Sequence, residues 1–413
     1  YYAPARYAAS RWWAGEAPLW NPYVYAGHPF VADLQNATFY PLRLVAIALA
    51  GPDFPYEALE LEALLHFPLV ALFTYLLARR LTGRRIGGLV AAVTFAFSSY
   101  LTGYPILQLA ILEAQAWLPA ILLCLLNAGE TLAAGALLAL SWLAGSPQAS
   151  LLVTYGALAF AAFQLWPRPF TWAWRVWRPR LTVLIVFGAV GFGLAAVQLL
   201  PAVEFMRLST RAHIGFEEAG AGFTPYDLWQ LALPAVARPF TALYLGVLPV
   251  GLAALALTRG RHVLARWPAV APRHVAFWGW SGLIALGFAV FYLLVPGWSL
   301  FRQQERTIVW FVLAAAVLAG YGAAWLIGRG RAAADDDAAR PVSLAYGLAA
   351  GCGLLLAAAF FVGFQAGYDA LWGFTAATTL LALLLGLAAL AVRSRSGAAL
   401  IALLVLDLFT LDA

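Results

Sequence analysis

Apolar stretches of about 17 to 23 residues recur down the whole chain, separated by short clusters of charged and polar positions. Each is long enough to cross a hydrocarbon core of about 30 Å as a helix rising 1.5 Å per residue. The pattern predicts helices near 61–78, 86–102, 108–126, 131–144, 150–166, 181–200, 241–258, 274–295, 308–327, 342–364, 370–392 and 397–411. Residues 42–50 are a further apolar stretch too short to span. Barrel strands would be half as long and would alternate. In lipid each backbone N–H and C=O must find its partner within its own segment, so the expected fold is all-α: a polytopic transmembrane bundle of about twelve helices.

Composition agrees. Of 413 residues, 63% are hydrophobic and 11% charged, against about 25% charged in a soluble domain. All 25 basic residues are arginine and the net charge is +6, a balance that could fit nucleic acid. The arginines instead sit in short clusters between apolar runs, as in the loops of membrane proteins, so no nucleic-acid partner is expected. Counted on alternate sides of the helices, seventeen fall on one side and eight on the other. The richer side is expected to be cytoplasmic, which puts 1–58 and 201–240, the two longest loops, outside. The first is read as an extracytoplasmic loop and 59–413 as the bundle. Both loops are rich in Trp, Tyr and Pro, as interfacial helices are. Cys124 and Cys352 lie in apolar runs and read as packing residues. The polar linker 329–340 reads as a solvated connection.

Candidate chemistry gathers on the outer side. Gly15–Pro41 combines four prolines, two glycines and the rings of Trp20, Tyr23, Tyr25, Phe30 and Tyr40 with Glu16, Asn21, His28, Asp33, Gln35 and Asn36. Aromatic faces beside carboxylates and amides suit a sugar ring, which stacks through its C–H face and hydrogen-bonds through its hydroxyls. An interfacial aromatic belt is the plainer alternative. A second group, Gln198 to Glu204 and on to Arg207 and Arg211, caps an outer helix end. Pro201 would kink or end that helix, and Glu204 and Arg211 form a potential charged pair. A third, Arg302 to Arg306, places two arginines one helical turn apart, where they would hold a phosphate or simply snorkel. Gln148, in an outer turn opening a helix, and Glu113 with Gln115 are weaker signals, and His66 reads as a packing histidine. Few ionisable residues fall mid-helix. No nucleotide loop, nucleophile elbow or metal-ligand spacing is present, so no cofactor and no metal site is expected; the outer acids would hold a divalent ion only if folding brought two together.

These residues carry a resemblance that covers nearly the whole chain. Pro18 to Tyr23, Gly27 to Phe30, Gln35 to Pro41, Trp117 to Pro119, Gly145 to Gln148, Gln198 to Glu204 and Phe301 to Arg306 occur in order, and with them the chain resembles the YfhO-like family of bacterial membrane proteins. That family looks like a branch of the C-type (GT-C) membrane glycosyltransferases. The resemblance implies sugar transfer from a polyprenyl-phosphate donor to an envelope polymer or lipid acceptor, on the outer face of the bacterial cytoplasmic membrane. It also implies a catalytic carboxylate just upstream of Tyr1, preceded by one more spanning helix. Within the chain, Asp33 or Glu16 would act as base or orient the acceptor. Trp20, Asn21, His28, Gln35, Gln148 and Glu204 would line the substrate site, and Arg211, Arg302 and Arg306 would clamp the phosphate. A transporter or flippase of lipid-linked precursors and a non-catalytic assembly scaffold are the alternatives.

Overall fold

The computed structural model describes residues 1–103, 108–209, 243–263, 271–290, 304–328, 370–394 and 396–410, together with isolated positions between these segments. The described residues divide into two compact units. One comprises 1–73, 105–222 and 292–307, the other 74–104, 223–291 and 308–413.

Helices stand where hydropathy placed them. Among the described residues five are long and apolar enough to cross a membrane: Tyr56–Thr82, Arg85–Gly103, Pro147–Leu165, Trp174–Arg207 and Glu305–Ile327. Shorter apolar helices fill the spaces between them, including Val247–Val263, Gly397–Thr410 and Thr131–Leu143. The 342–364 stretch lies mostly outside the described residues. Two expected helices are broken. The one near 108–126 divides into Leu109–Ala116 and Leu118–Leu125, because Pro119 lacks an N–H and fits only in the first turn of a new helix. The one near 86–102 divides at Phe97, where Ser98 Oγ turns back onto the Phe95 carbonyl. Trp174–Arg207, by contrast, runs straight through Pro179 and Pro201.

In the first unit the polarity is that of a membrane bundle, with apolar residues outward and polar groups paired within. Ile185, Leu194, Val197 and Leu200 stand exposed along Trp174–Arg207, while Gln198 on the same helix is buried. Serines and threonines knit the helices. Ser141 Oγ donates to the Ala114 carbonyl at 2.8 Å, Ser150 Oγ to the Ser141 carbonyl at 2.7 Å, and Trp142 Nε1 to Thr154 Oγ1 at 3.2 Å. Thr131–Leu143 and Trp174–Arg207 approach closely at two glycines. A Cβ on Gly135 would lie 2.8 Å from Val190 Cβ, and one on Gly191 would lie 2.7 Å from Leu138 Cδ2. Small residues at such crossings let backbones meet where lipid supplies no hydrophobic drive.

The second unit is built around Ile308–Gly328, which packs against Arg85–Ala96, Val247–Val263 and Ala271–Val290. Its core includes Leu248, Leu252, Ala319, Ala323, Leu400 and Leu404. A buried carboxylate organises one corner. Asp407, on Gly397–Thr410, accepts from the Tyr244 hydroxyl at 2.6 Å and from the Leu248 backbone N–H at 2.9 Å. The second bond satisfies an orphan N–H in the first turn of Val247–Val263, a capping role supplied from another helix.

Candidate active site

Within the first unit, residues 1–58 form two short helices, Tyr2–Trp13 and Pro41–Ala50, joined by a stiff excursion. Ala5, Ala8, Ala9, Phe30, Ile47, Phe54, Leu59 and Leu109 form their common core. Between the helices the chain curls on itself. Asn21 and His28 exchange both backbone hydrogen bonds at 2.8 Å, and Tyr25, Ala26 and Gly27 inside that curl all take positive φ, at 54°, 60° and 115°. Gly27 is required there twice over, since a Cβ would also lie 2.5 Å from Trp20 Cζ2.

The curl turns its rings outward: Trp20, Tyr23 and Tyr25 are 54%, 83% and 87% exposed. His28 stands between this surface and the bundle, its ring edge-on to Phe205 at 5.2 Å and its Nε2 3.7 Å from Asp33 Oδ2. Asp33 opens the 3-10 turn Leu34–Asn36 by accepting from the Gln35 N–H at 3.1 Å, while the Gln35 side chain is exposed. That turn is fastened from below. Gln198 Nε2 donates to the Leu34 carbonyl at 3.3 Å, and a Cβ on Gly145, where φ is +97°, would lie 2.6 Å from the same oxygen. Asn21 is buried and accepts from the Tyr23 N–H at 3.0 Å. Glu16 stands apart, exposed and paired with Arg11. Glu204 is exposed on its helix.

Arg306 lies in the 3-10 turn Gln304–Thr307 and not on the α-helical face expected of the 302–306 pair. Its Nη1 donates to Gln148 Oε1 at 2.7 Å and its Nη2 to Gln108 Oε1 at 3.0 Å. Gln148 follows Pro147, which opens its helix, and is buried. Gln108 occupies the N-cap position of Leu109–Ala116 without a side-chain capping bond, so the guanidinium is tied to the residue that starts that helix. Tyr1 meets the same turn through the Ala110 backbone. Desolvation and then the Glu113 carboxylate raise its phenol above the ordinary tyrosine value, with Arg306 opposing and Asp33 reinforcing the rise. Tyr1 therefore has Glu113, Arg306 and Asp33 as electrostatic neighbours. Arg211 and Arg302 lie outside the described residues.

Beneath this surface lies a polar cluster that sequence reasoning missed. Arg43 Nε donates to Glu62 Oε2 at 2.5 Å and Nη2 to Glu113 Oε1 at 3.3 Å, with all three side chains buried. Beside it Trp117 Nε1 donates to the Tyr40 hydroxyl at 3.1 Å, and that hydroxyl lies 2.7 Å from His66 Nε2. His66 Nδ1 is 2.7 Å from the Glu62 carbonyl, which can only accept. Nδ1 therefore carries the proton and Nε2 accepts from Tyr40, a neutral ring with both nitrogens satisfied. Burial and the Glu113 carboxylate hold the Tyr40 phenol well above its ordinary range, so it remains a donor. The expectation of few ionisable groups mid-helix thus fails for Glu62, Glu113 and, in the second unit, Asp407. The legible signal was Glu62 and His66, one helical turn apart on one face of an apolar run. Among the described residues no three His, Cys, Asp or Glu side chains are grouped as metal ligands.

The described helices form a polytopic, membrane-type helical fold, and its likeness lies with solved structures of one membrane enzyme. Two solved structures of ArnT from Cupriavidus metallidurans are similar to this chain. The apo structure is 16% identical, with a TM-score of 0.50, covering 99% of this chain and 70% of that one. The structure described as bound to undecaprenyl phosphate is 15% identical, with a TM-score of 0.49, covering 99% and 71%. No protein-family model and no curated protein matches the sequence.

Proposed function

We propose that this protein is a membrane glycosyltransferase of the YfhO-like kind, moving a sugar from a polyprenyl-phosphate donor to a cell-envelope acceptor on the extracytoplasmic face of a bacterial cytoplasmic membrane. The observation that carries the reading is the setting of Arg306. A guanidinium held by two amide oxygens near a helix N-terminus, with Tyr1 close by, supports an anion-receiving role.

The chemistry divides between the two sides of this site. As the glycosyl–phosphate bond breaks, negative charge grows on the lipid phosphate, and Arg306 with the Leu109–Ala116 N-terminus would stabilise it. The exposed rings of Trp20, Tyr23 and Tyr25 would hold the sugar or the acceptor, with Asp33, steadied by the Gln35 N–H and His28, orienting an acceptor hydroxyl. Glu16, exposed and tied to Arg11, would be the second candidate to orient the acceptor. Arg211, Arg302 and Glu204 belong to the same proposal as outer contacts to the carrier. The buried charges of Arg43, Glu62 and Glu113 favour the alternative, a flippase of lipid-linked precursors, since charge within a bundle marks transport paths.

Reconstitution of the full-length protein in liposomes with a radiolabelled polyprenyl-phosphate sugar separates the two. Labelled acceptor lost on Arg306→Ala supports transfer. Movement of intact donor across the bilayer without transfer supports the flippase. Neither activity in the wild-type protein leaves the scaffold.

A further inference from the structure

The Arg43 cluster carries a charge imbalance that burial does not tolerate. It holds one guanidinium and two carboxyl groups, contributed by Pro41–Ala50, Tyr56–Thr82 and Leu109–Ala116, and none of the three is more than 4% exposed. An unpaired buried charge is costly enough that the group neutralises instead. Among the described residues no second cation pairs with the two carboxyls. His66 is neutral by its hydrogen bonds, Tyr40 and Trp117 are uncharged donors already engaged with each other and with His66, and Gln115 is an amide. Tyr1, near Glu113, is a neutral phenol, and Arg306 is engaged with Gln108 and Gln148. The groove beside Glu62, about 420 Å³, is walled by Leu42, Val45, Leu49, Leu61 and Leu65, so it offers hydrocarbon in place of a counter-ion.

Two oxygens point to the resolution. Glu62 Oε1 and Glu113 Oε2 are buried with no hydrogen-bond partner, although the two carboxyls meet at the one guanidinium. Two acceptors brought together repel; one proton placed between them replaces the repulsion with a short charge-assisted bond.

We propose that Glu62 and Glu113 share a single proton, making the Arg43 cluster a buried proton-binding site of net charge zero and not a three-charge salt bridge. One guanidinium, one carboxylate and one carboxylic acid then balance. The bound proton is carried by whichever oxygen lies farther from Arg43. The inference is independent of the reaction proposed above.

Infrared difference spectroscopy on the full-length protein in lipid nanodiscs at neutral pH tests it. Wild type minus Glu113→Gln should show the carbonyl stretch of one unionised carboxyl group lost, and wild type minus Glu62→Gln should show the same. Each single variant forces the remaining carboxyl to ionise against Arg43. Arg43→Met should roughly double the band, because both acids then stay protonated. The amide mimics a protonated carboxyl, so the single variants should melt near wild type, whereas Glu62→Gln with Glu113→Gln strands Arg43 and should melt far lower. An unchanged carboxyl band in both single variants, or failure of both to fold, overturns the proposal.

Discussion

Arg306 Nη1 donates to Gln148 Oε1 at 2.7 Å across 158 positions of sequence, and the two residues fix one another. Gln148 is held because its helix begins at Pro147, and Gln108 completes the grip at the mouth of Leu109–Ala116. If this arginine faces the departing phosphate, Arg306→Ala should lower the rate of sugar transfer by about 10²-fold or more, the scale of losing one preorganised electrostatic donor. Gln148→Leu should cost about tenfold, chiefly in kcat, because the guanidinium stays but its aim is lost. Transfer kinetics of both variants in proteoliposomes check this.

The outward rings make a different demand. Tyr23 and Tyr25 stand mostly exposed, so replacing either with alanine should change thermal stability by no more than about 0.5 kcal/mol. A carbohydrate platform would show itself as a several-fold rise in KM for the acceptor. Loss of membrane association with unchanged KM would instead mark an interfacial belt.

The shape of helices was largely open to reading, because hydropathy over about 20 residues is set by the bilayer and not by neighbours. Pro147 announced the start of its helix, and the turn-rich character of Gly15–Pro41 announced a stiff excursion. Arg43 was different: by charge it looked like one more loop arginine, and nothing near it in sequence names Glu62 or Glu113, which lie 19 and 70 positions away. Pairings of that separation are decided by how helices pack, and hydropathy says nothing of rotation about a helix axis. The buried Glu62 was obscured by Glu57 and Glu60, which share its first turns and remain exposed.

Tyr40 joins two buried partners, Trp117 and His66. Tyr40→Phe leaves the indole N–H without an acceptor and the imidazole nitrogen without a donor, at a cost of about 1–3 kcal/mol each in a buried setting. The melting temperature in detergent should fall by several degrees. His66→Ala, which removes one of these partners and opens a cavity, should be at least as damaging.

In the second unit Asp407 accepts two bonds with two oxygens. Asp407→Asn keeps one acceptor and should lose about 1–2 kcal/mol, while Asp407→Ala abandons both Tyr244 and the Leu248 N–H and should lose about 3 kcal/mol or more. Hydrogen exchange at the first turn of Val247–Val263 should rise in both variants, and more in the alanine.

Close packing at the curl has a stereochemical result. Gly27 lies against Cζ2, Cε2 and Nε1 of the Trp20 indole, within 3.1 Å of each for a hypothetical Cβ, and so closes that side of the ring. Whatever stacks there meets one face only, approached from one direction. A pyranose has two unlike faces, one with more axial hydrogens than the other, and a single-sided ring can tell them apart. Were a sugar to stack there, the backbone twist of three consecutive residues would be passed on as a preference for one ring face, and so for one of two epimers that differ in the C–H bonds on that face.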